Sequence, residues 1–94
     1  MENTITIERP YEAEDNAINL AERELLQRYC NRHDEEINTF VIYAYFVEAH
    51  TVSGRKFIAK NANEQYSPCK KFTEYLYLNE EINGKQKRIK KSEY

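Results

Sequence analysis

The spacing of apolar residues changes along the chain, and each change marks an element. Thr4-Ile5-Thr6-Ile7-Glu8 alternates and stops at Arg9-Pro10. That pattern predicts a short edge strand, ended by a residue with no amide to give a ladder. From Tyr11 to about His33 the interval becomes three and four: Ala17, Ile18, Ala21, Leu25, Leu26, Tyr29 and Cys30 fall on one stripe, as on an amphipathic helix. Glu12, Glu14 and Asp15 near its start, and Arg28, Arg32 and His33 near its end, suit the two ends of the helix dipole.

After the acidic turn Asp34-Glu35-Glu36, residues Thr39 to Val47 are almost all aromatic or β-branched, and the run is too short for a typical helix. It reads as one central strand. Phe40, Ile42, Ala44 and Phe46 would share one face, and Val41, Tyr43, Tyr45 and Val47 the other, so both faces need cover. Ser53-Gly54 turns the chain, and Lys56 to Lys60 returns as an antiparallel partner.

Residues 61–67 are polar and end in Ser67-Pro68, either a loop or the start of a second helix. Two readings follow. A helix over 68–82 would align Cys69, Phe72, Leu76 and Asn79 and stop at Asn83-Gly84. A hairpin turning at Asn83-Gly84 would instead face Glu80 with Lys87 and Leu78 with Ile89, with Tyr75 and Tyr77 on the other face. The alternation from Tyr75 to Leu78 and the opposed charges favour the hairpin. The expected fold is α+β: a single domain over 1–94, with one long helix on an antiparallel sheet in the order β-α-β-β-β-β, and residues 85–94 as a basic strand or tail.

Charge is divided by position. All 8 lysines lie at or after Lys56; residues 1–50 carry 11 acids against 4 arginines, and residues 51–94 carry 10 bases against 5 acids. The overall charge of −2 therefore hides an acidic half and a basic half, each suited to a different partner. No apolar run approaches membrane-spanning length and the first residues lack a signal-peptide pattern, so the expected compartment is cytoplasmic, with no membrane partner. Two cysteines are too few for the disulfide framework of small secreted domains. Abundant Lys, Asn, Ile, Tyr and Glu with scarce Gly, Pro and Trp suggest A+T-rich coding, and hence the hypothesis of a phage or mobile-element origin.

Candidate chemistry is sparse. Cys30-x-x-His33 with His50 and Cys69 supplies the ligand types of a zinc site, but only one close pair exists, where structural zinc sites usually present two. Cys30 also falls on the apolar stripe, as a small buried hydrophobe would. With 2 glycines there is no phosphate-cradling loop. Nucleophile, base and orienting group are not found together. No enzymatic activity, metal or cofactor is expected.

Two binding surfaces stand out. Glu12, Asp15, Glu22, Asp34, Glu35 and Glu36 form a candidate acidic face for a basic groove on a host protein. Lys85, Lys87, Arg88, Lys90 and Lys91 form a candidate phosphate-binding tail. Tyr43, Tyr45, Tyr75 and Tyr77 would add stacking platforms if they share an exposed face near Phe57. The first surface gives the leading expectation, a small interaction protein that modulates or inhibits a host protein, one that handles nucleic acid among the candidates. The second gives the alternative, a nucleic-acid-binding module. A small-ligand sequestering protein is a weaker third. The sequence carries no signal for oligomeric state.

Overall fold

The computed structural model describes residues 4–10, 16–62 and 72–94. Helix α1 (Ala17–Arg32) begins at a reciprocal capping box: the Asn16 side chain accepts from the Asn19 amide at 2.8 Å, and the Asn19 side chain from the Asn16 amide at 3.4 Å. Two donors that the first turn leaves orphaned are thereby satisfied. The helix ends by a left-handed turn at Asp34 (φ 56°), with the Glu35 amide donating to the Cys30 carbonyl at 2.8 Å. This αL closure points the acidic turn off the helix end and toward the sheet.

The sheet has six strands in sequential order: β1 (Thr6–Glu8), β2 (Ile37–Ile42), β3 (Phe46–Thr51), β4 (Lys56–Asn61), β5 (Leu76–Ile82) and β6 (Lys85–Arg88). One helix packed on this sheet makes the α+β domain expected. The sheet is mixed, however, because β1 runs parallel to β2 while every later pair is antiparallel. Helix α1 is the crossover that a parallel pair requires.

The single strand expected over Thr39–Val47 is a hairpin. Its chain reverses at Ala44-Tyr45, where the Tyr43 amide donates to the Phe46 carbonyl at 2.9 Å. From the helix, Asn19 Nδ2 donates to the Tyr43 carbonyl at 3.2 Å and fastens the turn. In the 68–82 segment, Leu76–Ile82 is strand and only Phe72–Tyr75 forms a 3₁₀ turn, so the alternative second helix is overturned. Asn83 and Gly84 both have positive φ, the geometry that suits two-residue hairpins. The register places Glu80 opposite Lys87, and the Ile89 amide continues the ladder to the Leu78 carbonyl at 2.9 Å.

One face of the sheet is covered by α1. Phe40, Ile42, Val47, Ala49, Phe57, Ala59, Leu76, Leu78 and Ile89 meet Ile18, Leu25, Leu26, Tyr29 and Cys30 in one core. A bulge between Ile37 and Thr39 shifts the register and returns Ile37 to that core. Burying side chains such as Phe57, Leu26 and Leu78 contributes about 1.5–3 kcal/mol each. Phe57 is therefore core and joins no exposed tyrosine platform. The residues after β6 are not a loose tail: Lys91–Glu93 forms a 3₁₀ turn, and Arg32 and His33 bond the main-chain oxygens of Tyr94 and Glu93.

Candidate nucleic-acid interface

The face of the sheet away from α1 carries the alternate residues of each strand; its middle row is buried at Val41 (5% exposed) and Ile58 (1%), and its two ends differ in how their charges are spent. At the end beside the β3–β4 turn, cations meet carboxylates. Lys56 Nζ lies 2.8 Å from Glu81 and 3.9 Å from Glu48, and His50 lies 3.1 Å from Glu48. The Glu81 carboxylate first, and Glu48 after it, raise the Lys56 pKa. At the same end, on the helix side, Arg55 makes two bonds to Glu80 (2.8 and 2.7 Å) and one to Glu35 (2.9 Å), with its guanidinium 4.9 Å from the Phe57 ring centre. Glu35 also accepts from Ser53 Oγ at 2.6 Å, and that bond, followed by those from Arg55, holds its carboxyl below the usual range. Glu80 thus turns to Arg55 although Lys87 is its register partner.

At the other end of this face the cations meet rings. Phe46, Lys60 and Tyr77 are directly opposite one another across β3, β4 and β5. Tyr43, across the hairpin from Phe46, stacks on it with centroids 4.4 Å apart and 23° between planes. The Lys60 ammonium stands 5.9 Å from the Phe46 centroid, and the Arg88 guanidinium 3.7 Å from that of Tyr77. Among the described residues, Lys60, Lys85, Lys87, Arg88, Lys90 and Lys91 make no ion pair. Strands lie about 4.8 Å apart, so the Phe46 and Tyr77 rings are separated by roughly 10 Å on one surface.

The structure sorts the residues singled out from sequence. Tyr43 and Tyr77 share the face away from α1, both half-buried. Tyr45 is 61% exposed at the hairpin tip, and Tyr75 is exposed in the turn before β5. Phe46 and Lys60 belong to the site but were not singled out. The hidden hairpin obscured Phe46; the four-residue spacing of Lys56 and Lys60 was the available signal that both stand on one face.

The acidic face does not assemble as expected. Glu12 and Asp15 lie outside the described residues. Glu22 is 0% exposed and belongs under the sheet, so its place on a solvated acidic face is corrected. Burial raises its carboxyl to about 8, outweighing the lowering effect of the Asn19 side chain, which donates to Oε1 at 3.2 Å. Its Oε2 has no hydrogen-bond partner among the described residues. Glu35 is committed to Arg55 and Ser53. Asp34 and Glu36 are exposed.

The metal-type residues do not converge either. No group of three or more His, Cys, Asp or Glu side chains among the described residues is placed to hold a metal, and Cys69 lies outside them. Cys30 is fully buried, and burial first, then Glu35, pushes its thiol up to about 12, so it offers no thiolate at neutral pH. No described helix is long and apolar enough to cross a membrane.

These features define a class: a small α+β domain whose sheet face away from the helix is aromatic and cationic at one end. The chain matches no protein-family model, no curated protein and no solved structure.

Proposed function

We propose that this chain is a non-enzymatic binding module that takes single-stranded nucleic acid on the aromatic end of the sheet face away from α1. One observation carries the reading: Phe46, Lys60 and Tyr77 form a row across three strands, and the cations over its rings, Lys60 and Arg88, have no carboxylate partner among the described residues. Rings on β3 and β5 suit unpaired bases, and the unneutralised cation between them on β4 suits a phosphate. Lys90, beyond β6, extends the cationic side, while Lys85 and Lys87 lie along the edge strand. A duplex would leave the rings unused, since its bases are already stacked. The free, buried thiol of Cys30 is in keeping with work in a reducing cytoplasm.

The test is fluorescence anisotropy with labelled single- and double-stranded DNA and RNA over a salt series. Single strands should bind more tightly than duplexes, with log K falling by about 2 per decade of salt if three phosphates are neutralised. Tyr77→Ala should weaken single-strand binding by about tenfold, since one base stack is worth ~1–3 kcal/mol. Equal binding of duplex and single strand, or none at low salt, would remove this reading.

The host-protein reading keeps one observation in its favour. A shallow groove of about 500 Å³ is lined by Asp34, Glu35 and Glu36 with Gln27, Asn31, Ile5 and Ile37. An acidic rim around apolar residues suits a basic protein surface. Under that reading Asp34→Asn with Glu36→Gln weakens a protein partner and leaves nucleic-acid affinity unchanged or higher.

A further inference from the structure

The two edges of the sheet are unlike. β6 closes one side with Lys85, Gln86, Lys87 and Arg88, all exposed, and charge of this kind keeps an open edge from pairing with other strands. β1 closes the other side and exposes apolar surface: Ile5 is 37% and Ile7 36% exposed. Ile7 pairs in register with Phe40 of the core face, and Ile5, two residues earlier, points the same way. With Leu20, 48% exposed on α1, they line a groove of about 340 Å³ floored by Phe40 and rimmed by Arg23, Glu24 and Gln27.

We propose that a second copy of this chain docks here, by antiparallel pairing of β1 with its own counterpart about a two-fold axis perpendicular to the sheet. The strand is its own complement. With Thr6 on the axis, each Ile5 faces the partner's Ile7 and each Glu8 faces the partner's Thr4, so no like charges are opposed. The same axis keeps both helices on one side of the joined sheet, bringing the two apolar grooves together. The pairing extends a six-stranded sheet to twelve strands and leaves both open faces on the opposite side from the helices. It stands apart from nucleic-acid binding, because none of its residues belongs to the aromatic row.

Sedimentation equilibrium and cysteine crosslinking of the full chain test it. Wild type should show a reversible monomer–dimer equilibrium between micromolar and millimolar concentration. Ile7→Lys should raise its dissociation constant at least tenfold with an unchanged circular dichroism spectrum, whereas Ile82→Lys, at an apolar residue beside the β5–β6 turn, should not change it. Thr6→Cys should form an intermolecular disulfide well above the wild-type background, and this readout decides if Ile7→Lys does not fold. A wild type that stays monomeric throughout, or a dimer indifferent to Ile7→Lys with Thr6→Cys crosslinking no more than wild type, overturns the proposal. A monomer that instead binds a peptide of the β1 sequence assigns the edge to an extended partner strand and also overturns it.

Discussion

Lys56 and Lys60 stand on one strand, on one face, four residues apart, yet they are used differently. Lys56 ends 2.8 Å from Glu81 and 3.9 Å from Glu48, whereas Lys60 lies near the Phe46 ring with no carboxylate in reach among the described residues. Arg55 and Arg88 repeat the contrast, the first held by Glu35 and Glu80 and the second laid on Tyr77. A cation matched to a carboxylate is neutralised and helps hold the fold. A cation over a ring keeps its full charge, because the ring satisfies only its flat face. Net charge is therefore a poor guide to binding here, since the described bases of the second half divide into a neutralised set and an available set.

The largest effect should come from removing the available set. Lys60→Ala, Tyr77→Ala and Arg88→Ala together should weaken single-strand binding by about a thousandfold, or about 4 kcal/mol, as measured by anisotropy. The fold should persist, since these side chains face away from the core. Arg55→Ala with Lys56→Ala should change affinity by less than about twofold, because those charges are already satisfied.

The ends should also respond oppositely to pH. Asn19, which fastens the Tyr43–Phe46 turn, is bonded to the buried Glu22. Glu22 stays protonated in the folded chain up to about 8 but ionises near 4.5 when exposed. Folding holds an extra proton between those values, so the Glu22 contribution is full below pH 4.5 and is lost as pH rises through 8. Glu22→Gln should raise stability at pH 7 by about 3 kcal/mol in urea unfolding and flatten this decline, at ~1.4 kcal/mol per pH unit. Glu35 works in the other sense. Its lowered pKa stabilises the fold above 4.5 and that stability is lost as pH falls through the folded value. Glu35→Gln should accordingly remove part of the stability loss seen on acidification.

A smaller change is expected at Arg55. Its side chain is 43% exposed while those of Glu35 and Glu80 are 12% and 16% exposed, so solvent screens the pair only partly. Arg55→Met should lower stability by about 1 kcal/mol in urea unfolding. The smallest effect separates the two lysines: Lys60→Gln should reduce the slope of log K against log salt by about 0.7, and Lys56→Gln should leave it unchanged.

Much of this arrangement was legible in the residues. The apolar stripe from Ala17 to Cys30 announced the helix, and Asn83-Gly84 with Glu80 facing Lys87 announced the last hairpin and its register. The β2–β3 hairpin stayed hidden because Ala44-Tyr45 carries no turn residue, and among the described residues positive φ occurs only at Asp34, Gly54, Asn83 and Gly84. Missing that reversal left Phe46 on the wrong side of the sheet. Glu22 read as surface for a similar reason: a carboxylate at helical spacing counts as solvated until a tertiary partner is known, and its partner Asn19 is also the N3 member of the capping box. The parallel pairing of β1 depended on where α1 delivers the chain, which no local pattern of apolar residues encodes. Which cations are neutralised depended on side chains roughly 20 to 25 residues apart meeting across strands.

The most direct test of the aromatic row is an amide and side-chain chemical-shift map of the labelled protein titrated with a short single-stranded oligonucleotide. The largest shifts should fall on Tyr43, Phe46, Lys60, Tyr77 and Arg88, with Glu48, Lys56 and Glu81 nearly still. Shifts centred on Asp34, Glu35 and Glu36, or spread evenly over every exposed lysine, would contradict a binding face at the unneutralised end of the sheet.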